Sequence, residues 1–507
     1  MTQQAPLTAL NERVAAVNDV LNAASVLIWD SRTMMPAGGA ETRGCQIATL
    51  TRVARDLLLA SETETALDEA ERGIEGLPED SPERRIVLQT RHAIEHHRRV
   101  PASLIQARAA LRTVAQAAWI EARSKSDFSI FAPHLARTLA LSRDYADCIG
   151  WSEHPYDAMV SIYEPGETAA SLKSLFASLR AGLLPVLDAA RSQPAPRSDF
   201  LFRDFPEKGQ RAFGLSLSEK LGYDLQRGRL DTTVHPFEVS FTRNDVRITT
   251  RYNRNYLPAS IFGTAHETGH GLYEQGVDPA HTRTTLATDL VGLYAVGGTS
   301  FGAHESQSRL WENHIVRSRT FWRLHFSDLQ GYFPDQLGDV DVEEFYRAVT
   351  RVVPGFIRVE ADELTYDLHI MLRVEIESAL MDGSLPVADL PGAWNALIKR
   401  DLDLDVPDDA RGVLQDVHWS TGYIGSFPTY TIGNVMAAQV METLRTQNQA
   451  LDAAIEAGKY EVLAEELRTR IWQHGRRFDR DELLERVTGR RLDPKPYLAY
   501  LAGKYAR

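Results

Sequence analysis

Apolar residues recur at three- and four-residue steps along most of this chain. In "LTALNERVAAVNDVLNAASVLIWD", Leu7, Leu10, Val14, Val17, Leu21 and Val26 form one such stripe, the spacing that gathers side chains on a single face of an α-helix. Asp30 begins its break, and Pro36, Gly38 and Gly39 in "MMPAGGAET" mark a turn. Further helical runs are expected at about 45–72, 82–97, 101–125 and 129–149. Glu167 and Thr168, after the Pro165–Gly166 turn, open another. Trp29, Met34 and Met35 read as core packing.

The pattern changes once. "TTVHPFEVSFTRNDVRITTRY" (232–252) alternates apolar and polar residues and is rich in Val, Ile, Thr and Phe. With Arg243–Asn244–Asp245 at its middle, it reads as a hairpin. Helical signals then dominate to the end, through "VMAAQVMETLRTQNQALDAAIEAG" and "YEVLAEELRTRIWQHG". There is no fixed-period repeat, and "RSQPAPRSDF" (191–200) is the best candidate boundary but short. The expectation is a mainly α protein, one large helical domain over 1–507 with a small antiparallel sheet. Its parts would be helical at about 1–200, site-bearing at about 232–434 and helical at 435–507.

Composition narrows the partners. With 43% hydrophobic and 25% charged residues, the 507-residue chain has an ordinary globular balance. The formal charge of −13, spread along the chain, disfavours nucleic acid and anionic membrane surfaces. Cys45 and Cys148 are the only cysteines, so no disulfide framework is expected and a reducing compartment fits. The first residues lack a basic start followed by an apolar core, and nowhere do about 18 uncharged apolar residues run together. The expectation is a soluble cytoplasmic protein with no nucleic-acid and no membrane partner.

The candidate chemistry centres on "FGTAHETGHGLYEQG" (262–276). His266 and His270 are four apart, which on a helix puts their Cβ atoms about 5–6 Å from each other. Two imidazoles so placed can converge on one ion at about 2.0–2.1 Å from each nitrogen. Glu267 points about 100° around the helix, a placement that suits a base rather than a third ligand. The bland alternative is a hydrogen-bonded pair on a helix face. Against it stands Gly269, which costs about 1 kcal/mol relative to Ala inside a helix and so signals a close approach of backbone or substrate. A catalytic zinc usually has three protein ligands. "SFGAHESQSRLWEN" (300–313) offers Glu305 and His304, and spacing does not separate them.

Several strings then resemble one family. "HPF" (235–237), "DVRIT" (245–249), "HETGH" (266–270), "HESQ" (304–307), "IRVEAD" (357–362) and "GVLQDVHW" (412–419) occur in the order seen in carboxypeptidase Taq-type metallocarboxypeptidases. "LIWDSRTMMPAGGAET" near the start and "GYIGSFPTYTIGN" (422–434) are similar too, so the resemblance spans nearly the whole chain. It implies His266, His270 and Glu305 as metal ligands, in preference to His304, and Glu267 as general base and proton shuttle. It also implies a mostly helical fold with a zincin-like metal-binding helix, a small sheet lining a long cleft, and a homodimer acting on peptides with a free C-terminus. The segment "TTLATDLVGLYAVGGTSFGA" between the two metal motifs is longer than the family's usual connector, which leaves that wall of the site open.

In such a site one divalent metal ion per chain would lower the pKa of a water to about 7, with Glu267 taking its proton. Two His and one carboxylate suit zinc, while cobalt or manganese also fit. The developing oxyanion needs a further donor, for which His418 and Tyr423 are candidates. Each reads equally well as a core aromatic or a buried hydrogen-bond partner. A substrate carboxylate calls for a guanidinium. Arg358 is the first choice, Arg247 the second and Arg411 a distant third. The competing reading is an internal ion pair, Arg358 with Glu360 or Asp362 and Arg247 with Asp245. His235 would contact substrate or cap the hairpin, and Asp289 or Glu312 would orient the imidazoles. The rivals are an oligopeptidase cutting internal bonds and a non-catalytic helical scaffold; Glu267 argues against the latter, since a retired site has no need of a base.

Overall fold

Most of the first apolar stripe is buried: Leu10, Val14 and Val17 are fully enclosed along a helix spanning Gln4–Thr33, while Val26, further along the same stripe, is exposed. The computed structural model describes residues 4–506. Two compact units emerge, each assembled from three stretches of chain. Met1–His97, Pro196–Val349 and Met436–Leu492 form the first, and Arg98–Ala195, Thr350–Val435 and Asp493–Arg507 the second.

In the first unit, helix Gln4–Thr33 packs on helices Ala40–Leu58 and Ser61–Gly73. The run expected at about 45–72 is thus two helices. Extended Ala60 separates them, and the Thr63 hydroxyl donates to the carbonyl of Leu57 at 2.7 Å, satisfying a group the helix end leaves open. Leu286 and Leu290, from the connector between the metal motifs, complete this core. Trp29 is buried, but Met34, beyond the end of its helix, is 56% exposed and packs on little.

A larger core of the same unit surrounds a three-stranded sheet. The strands are β1 (Gly228–Thr232), β2 (Glu238–Thr242) and β3 (Asp245–Thr250). The hairpin is present, with Val239 opposite Arg247 and Ser240 opposite Val246. The expectation of an antiparallel sheet is corrected by β1, which runs parallel to β3 from Gly228 opposite Val246 to Thr232 opposite Thr250. The order is β1-β3-β2. The loop 233–237, with His235 and Pro236, carries the chain past the end of β3. There Thr233 donates to the Thr250 carbonyl and Thr249 to that of Phe237, both at 3.0 Å. β1 escapes the alternation rule because "GRLDT" buries two successive residues, Leu230 and Asp231.

Helix Leu257–Gly276 lies at the centre of this core and is enclosed on nearly every face. Pro258 occupies its first turn, where a missing N–H costs nothing. Thr264 bonds Thr250 of β3, and Thr268 meets Ser218 of helix Glu207–Leu221, both at 3.0 Å.

The second unit contains helices Ala102–Lys125, Phe128–Ile149, Ala169–Arg191, Tyr366–Asp382 and Leu390–Leu402, and the terminal Lys495–Tyr505. Thr168 caps Ala169–Arg191 in a reciprocal exchange with Ser171. Among the described residues this is the one helix long and apolar enough to cross a membrane. It carries Arg180, ion-paired to Glu375 and Asp401, and buries Leu172, Phe176, Leu179 and Leu183. Cys45 and Cys148 are both unpaired.

Candidate metal centre

His266 and His270 project from one face of Leu257–Gly276, their rings 4.9 Å apart and nearly perpendicular. Helix Phe301–Arg309 is started by Ser300, whose hydroxyl accepts from the Ala303 N–H at 3.0 Å, and runs directly against it. The two backbones nearly touch at Gly269. A Cβ there would lie 2.6 Å from both the Gln307 carbonyl oxygen and the Ser308 Cα. Gly269 thus lets the second helix deliver Glu305 to the histidines. Gly269→Ala should force the helices apart, outweighing its gain of about 1 kcal/mol in helix propensity by an overpacking cost of about 1–3 kcal/mol. Weaker metal binding than in the native chain, measured beside a lowered Tm, checks this.

The Glu305 Oε2 atom stands 3.5 Å from His266 Nε2 and 3.4 Å from His270 Nε2. Ligand atoms on a tetrahedron of about 2.0–2.1 Å bonds are separated by roughly 3.3–3.4 Å, so these spacings match a shared divalent cation. Among the described residues only these three cluster in this way, with their ligand atoms within 4.8 Å of one another. Arg309 holds the other Glu305 oxygen at 2.7 Å, which leaves Oε2 alone to face the imidazoles.

Behind this trio the helix turns π-helical over Leu310–Val316, bringing Glu312 to His266 Nδ1 at 3.0 Å. Arg317 at 3.0 Å and Arg309 at 3.3 Å neutralise that carboxylate. His304 faces away from the trio's centre. Its Nδ1 is 2.5 Å from His270 Nδ1 and its Nε2 is 2.9 Å from Glu274 Oε1. Asp289 does not touch the imidazoles. It accepts from the N–H groups of Val291 and Gly292 at 3.0 Å and closes a turn of the connector.

Electrostatics divide the roles. Burial pushes the Glu267 carboxyl up to about 7, with the neighbouring His266 opposing it. Its Oε2 is buried with no hydrogen-bond partner. Burial, with His304 alongside, pushes His270 down to about 3 and keeps its ring neutral. Burial also works against charge on His266, but Glu305 and Glu312 outweigh it and raise the ring's proton affinity. Burial opposes ionisation of Glu305 and Glu312 too, yet Arg309 and the histidines hold both well below the usual carboxylate range. Two imidazoles, one ionised carboxylate and a free carboxyl that titrates near neutrality form a donor set suited to a divalent cation and a base.

In the second unit Arg358 is buried, with Nε and Nη2 on Asp416 Oδ1 at 3.0 and 2.8 Å and Nη1 on the Tyr366 hydroxyl at 3.0 Å. Neither Glu360 nor Asp362 is its partner. Residues 358–360 form only a short 3₁₀ turn, and Asp362 instead accepts from the N–H groups of Leu364, Thr365 and Val353. Arg373 takes the second Asp416 oxygen at 2.6 Å, so two buried guanidinium groups share one carboxylate. His418 is in the same cluster, 3.2 Å from the Tyr430 hydroxyl and 3.9 Å from Asp416; burial pushes it down to about 4. Tyr423 packs on Tyr163, with Arg112 over its ring.

In the first unit Arg247 pairs with Asp245 through two bonds of 2.9 Å and lies over Trp29. Arg411 is exposed and paired with Asp408. His235 is exposed in the loop before β2. Sequence reading missed Arg309, Glu274, Arg373 and Asp416. Helical spacing could have found the first two, since Arg309 follows Glu305 by four residues and Glu274 follows His270 by four.

The family described as carboxypeptidase Taq (M32) metallopeptidase matches residues 9–505. Thermostable carboxypeptidase 1 of Thermus thermophilus is 40% identical, over 100% of this chain and 99% of its own. Carboxypeptidase 1 of Bacillus subtilis is 36% identical over 96% of this chain and 95% of its own. The crystal structure of an M32 carboxypeptidase from Deinococcus radiodurans superposes with a TM-score of 0.94 at 40% identity, covering 99% of this chain and 98% of that one.

Proposed function

We propose, from the premise that this chain belongs to the carboxypeptidase Taq (M32) metallopeptidase family, that His266, His270 and Glu305 hold its metal and Glu267 moves its protons. The protein is a metal-dependent carboxypeptidase acting on peptides. The observation that carries the assignment of residues is the unpartnered Glu267 oxygen, buried on the helix whose His266 and His270 stand 3.5 and 3.4 Å from one Glu305 oxygen.

When bound there, a divalent cation supplies Lewis-acid polarisation of a peptide carbonyl and acidifies water. Glu267 takes the proton from the attacking water at its free Oε2 and returns it to the departing amine. A carboxyl near 7 is poised to do both. Glu312 accepts from His266 Nδ1–H, which leaves the Nε2 lone pair for the cation. Arg309 fixes Glu305 so that one oxygen faces the histidines. Arg358 is assigned to the substrate carboxylate: with Arg373 and Asp416 it leaves one buried positive charge uncompensated, which an incoming carboxylate would balance. His418 and Tyr423 are assigned as donors to the developing oxyanion.

Zinc is the proposed metal, because two imidazoles and a carboxylate suit it, with cobalt or manganese next. Two unpaired cysteines fit a reducing cytoplasm, and the family resemblance argues for a homodimer, which light scattering would test. Chelation should abolish hydrolysis and lower Tm, and restored metal should recover both, because the ion binds only the folded chain. An N-blocked peptide acid should lose single C-terminal residues, while its C-terminal amide is left intact. Equal cleavage of the amide would contradict the assignment of Arg358.

A further inference from the structure

We propose that His304 is a positioning residue for His270: it relays the orientation of Glu274 across its own ring, so that His270 presents a bare Nε2 to the metal. The inference rests on His266, His270 and Glu305 being the ligands.

The two rings meet edge to edge. Their Nδ1 atoms are 2.5 Å apart, while the centroids are 4.5 Å apart and the planes differ by 23°. Two ring nitrogens at that distance hold one proton between them, and which ring carries it depends on the far side of His304. There Glu274 Oε1 lies 2.9 Å from His304 Nε2. Glu274 is buried and its oxygens accept from the N–H groups of Gly297 and Gly298 at 2.9–3.1 Å. An ionised carboxylate can only accept, so His304 Nε2 carries a proton and donates it. With the His304 proton committed to Glu274 through Nε2, its Nδ1 turns a lone pair to His270, and the shared proton belongs to His270 Nδ1. His270 Nε2 is left bare, 3.4 Å from the Glu305 oxygen it faces.

The surroundings hold this chain of contacts in register. Tyr273 stacks on His304 with planes 19° apart. Gly298 has no space for a side chain, because a Cβ there would collide with the His304 ring. The glycine turn at the end of the connector thus brings two N–H groups onto Glu274 and leaves room for the ring that Glu274 orients. The two candidate ligands are oriented differently: His266 by a carboxylate directly, His270 by a carboxylate acting through a second imidazole.

The test compares His304→Phe with His304→Asn. Phe keeps a ring in place but offers no acceptor to His270. Asn loses the ring but can set an amide oxygen where Nδ1 was. Zn²⁺ affinity is read by chelator competition on the apo proteins, with apo Tm as the folding control and the visible spectrum of Co²⁺-loaded protein as a probe of ligand geometry. The expected result is about 10–100-fold weaker binding and an altered spectrum for His304→Phe. His304→Asn should stay within a few-fold of the native affinity. Native affinity in His304→Phe, or equal losses in both variants, overturns the relay while leaving the ligand assignment standing. Native protein with no one-per-chain Zn²⁺ site overturns both.

Discussion

Glu267→Gln is expected to lower kcat for C-terminal residue release by about 10²–10⁴-fold, the usual contribution of a positioned acid–base group. The amide fills the same volume but cannot take a proton from water. The variant should keep its metal, because Glu267 is not among the residues whose ligand atoms cluster, His266, His270 and Glu305. Its Tm should match or exceed the native value, since a buried carboxyl without a partner on Oε2 and close to Glu305 and Glu312 is a site of strain between like charges. Steady-state kinetics, metal content and thermal melts on one preparation give all three readings. A loss of activity accompanied by loss of metal would instead make Glu267 part of the binding site.

The second large effect falls on stability. Asp416→Ala leaves Arg358 and Arg373 buried without their shared carboxylate, and breaking a buried pair from one side costs about 3–5 kcal/mol. A drop in Tm of about 3–5 °C is expected, because the unfolding entropy scales with the 507 residues of the chain. Burial opposes the charge on Asp416, but the two guanidinium groups outweigh it and hold its carboxyl far below the usual range. A carboxyl depressed in the folded state supplies stability that is complete above about pH 4, the unfolded value, and is lost as pH falls from there towards the folded one. Native protein should therefore lose stability steadily below about pH 4. Asp416→Asn, already weaker at neutral pH, should show a shallower acid slope. Urea melts across that range measure the difference, and parallel slopes would remove Asp416 from the account.

Local signals in the chain carried much of this. The stripe through Leu10, Val14 and Val17, the hairpin around Arg243–Asn244 and the placement of His266, Glu267 and His270 all follow from periods of 3.6 or 2, which the sequence displays directly. Glu305 needed more, because spacing left it level with His304. The choice depends on how Gly269 lets two helices approach, a tertiary fact. β1 was invisible because parallel pairing with β3 is non-local and its burial pattern does not alternate. Arg358 shows the limit most clearly. Helical spacing suggested Asp362, yet its partner is Asp416, 58 positions away. The assembly of each unit from three separated stretches has no local marker either, since no long linker announces the crossings.

The most direct test titrates Zn²⁺ into apo protein and follows release of the C-terminal residue from an N-blocked peptide acid. Activity should rise linearly from zero and break at one equivalent per chain, and His270→Ala should bind no tight equivalent and stay inactive. Hydrolysis that persists in metal-free protein, or a His270→Ala variant that titrates like the native chain, would contradict the assignment of the site.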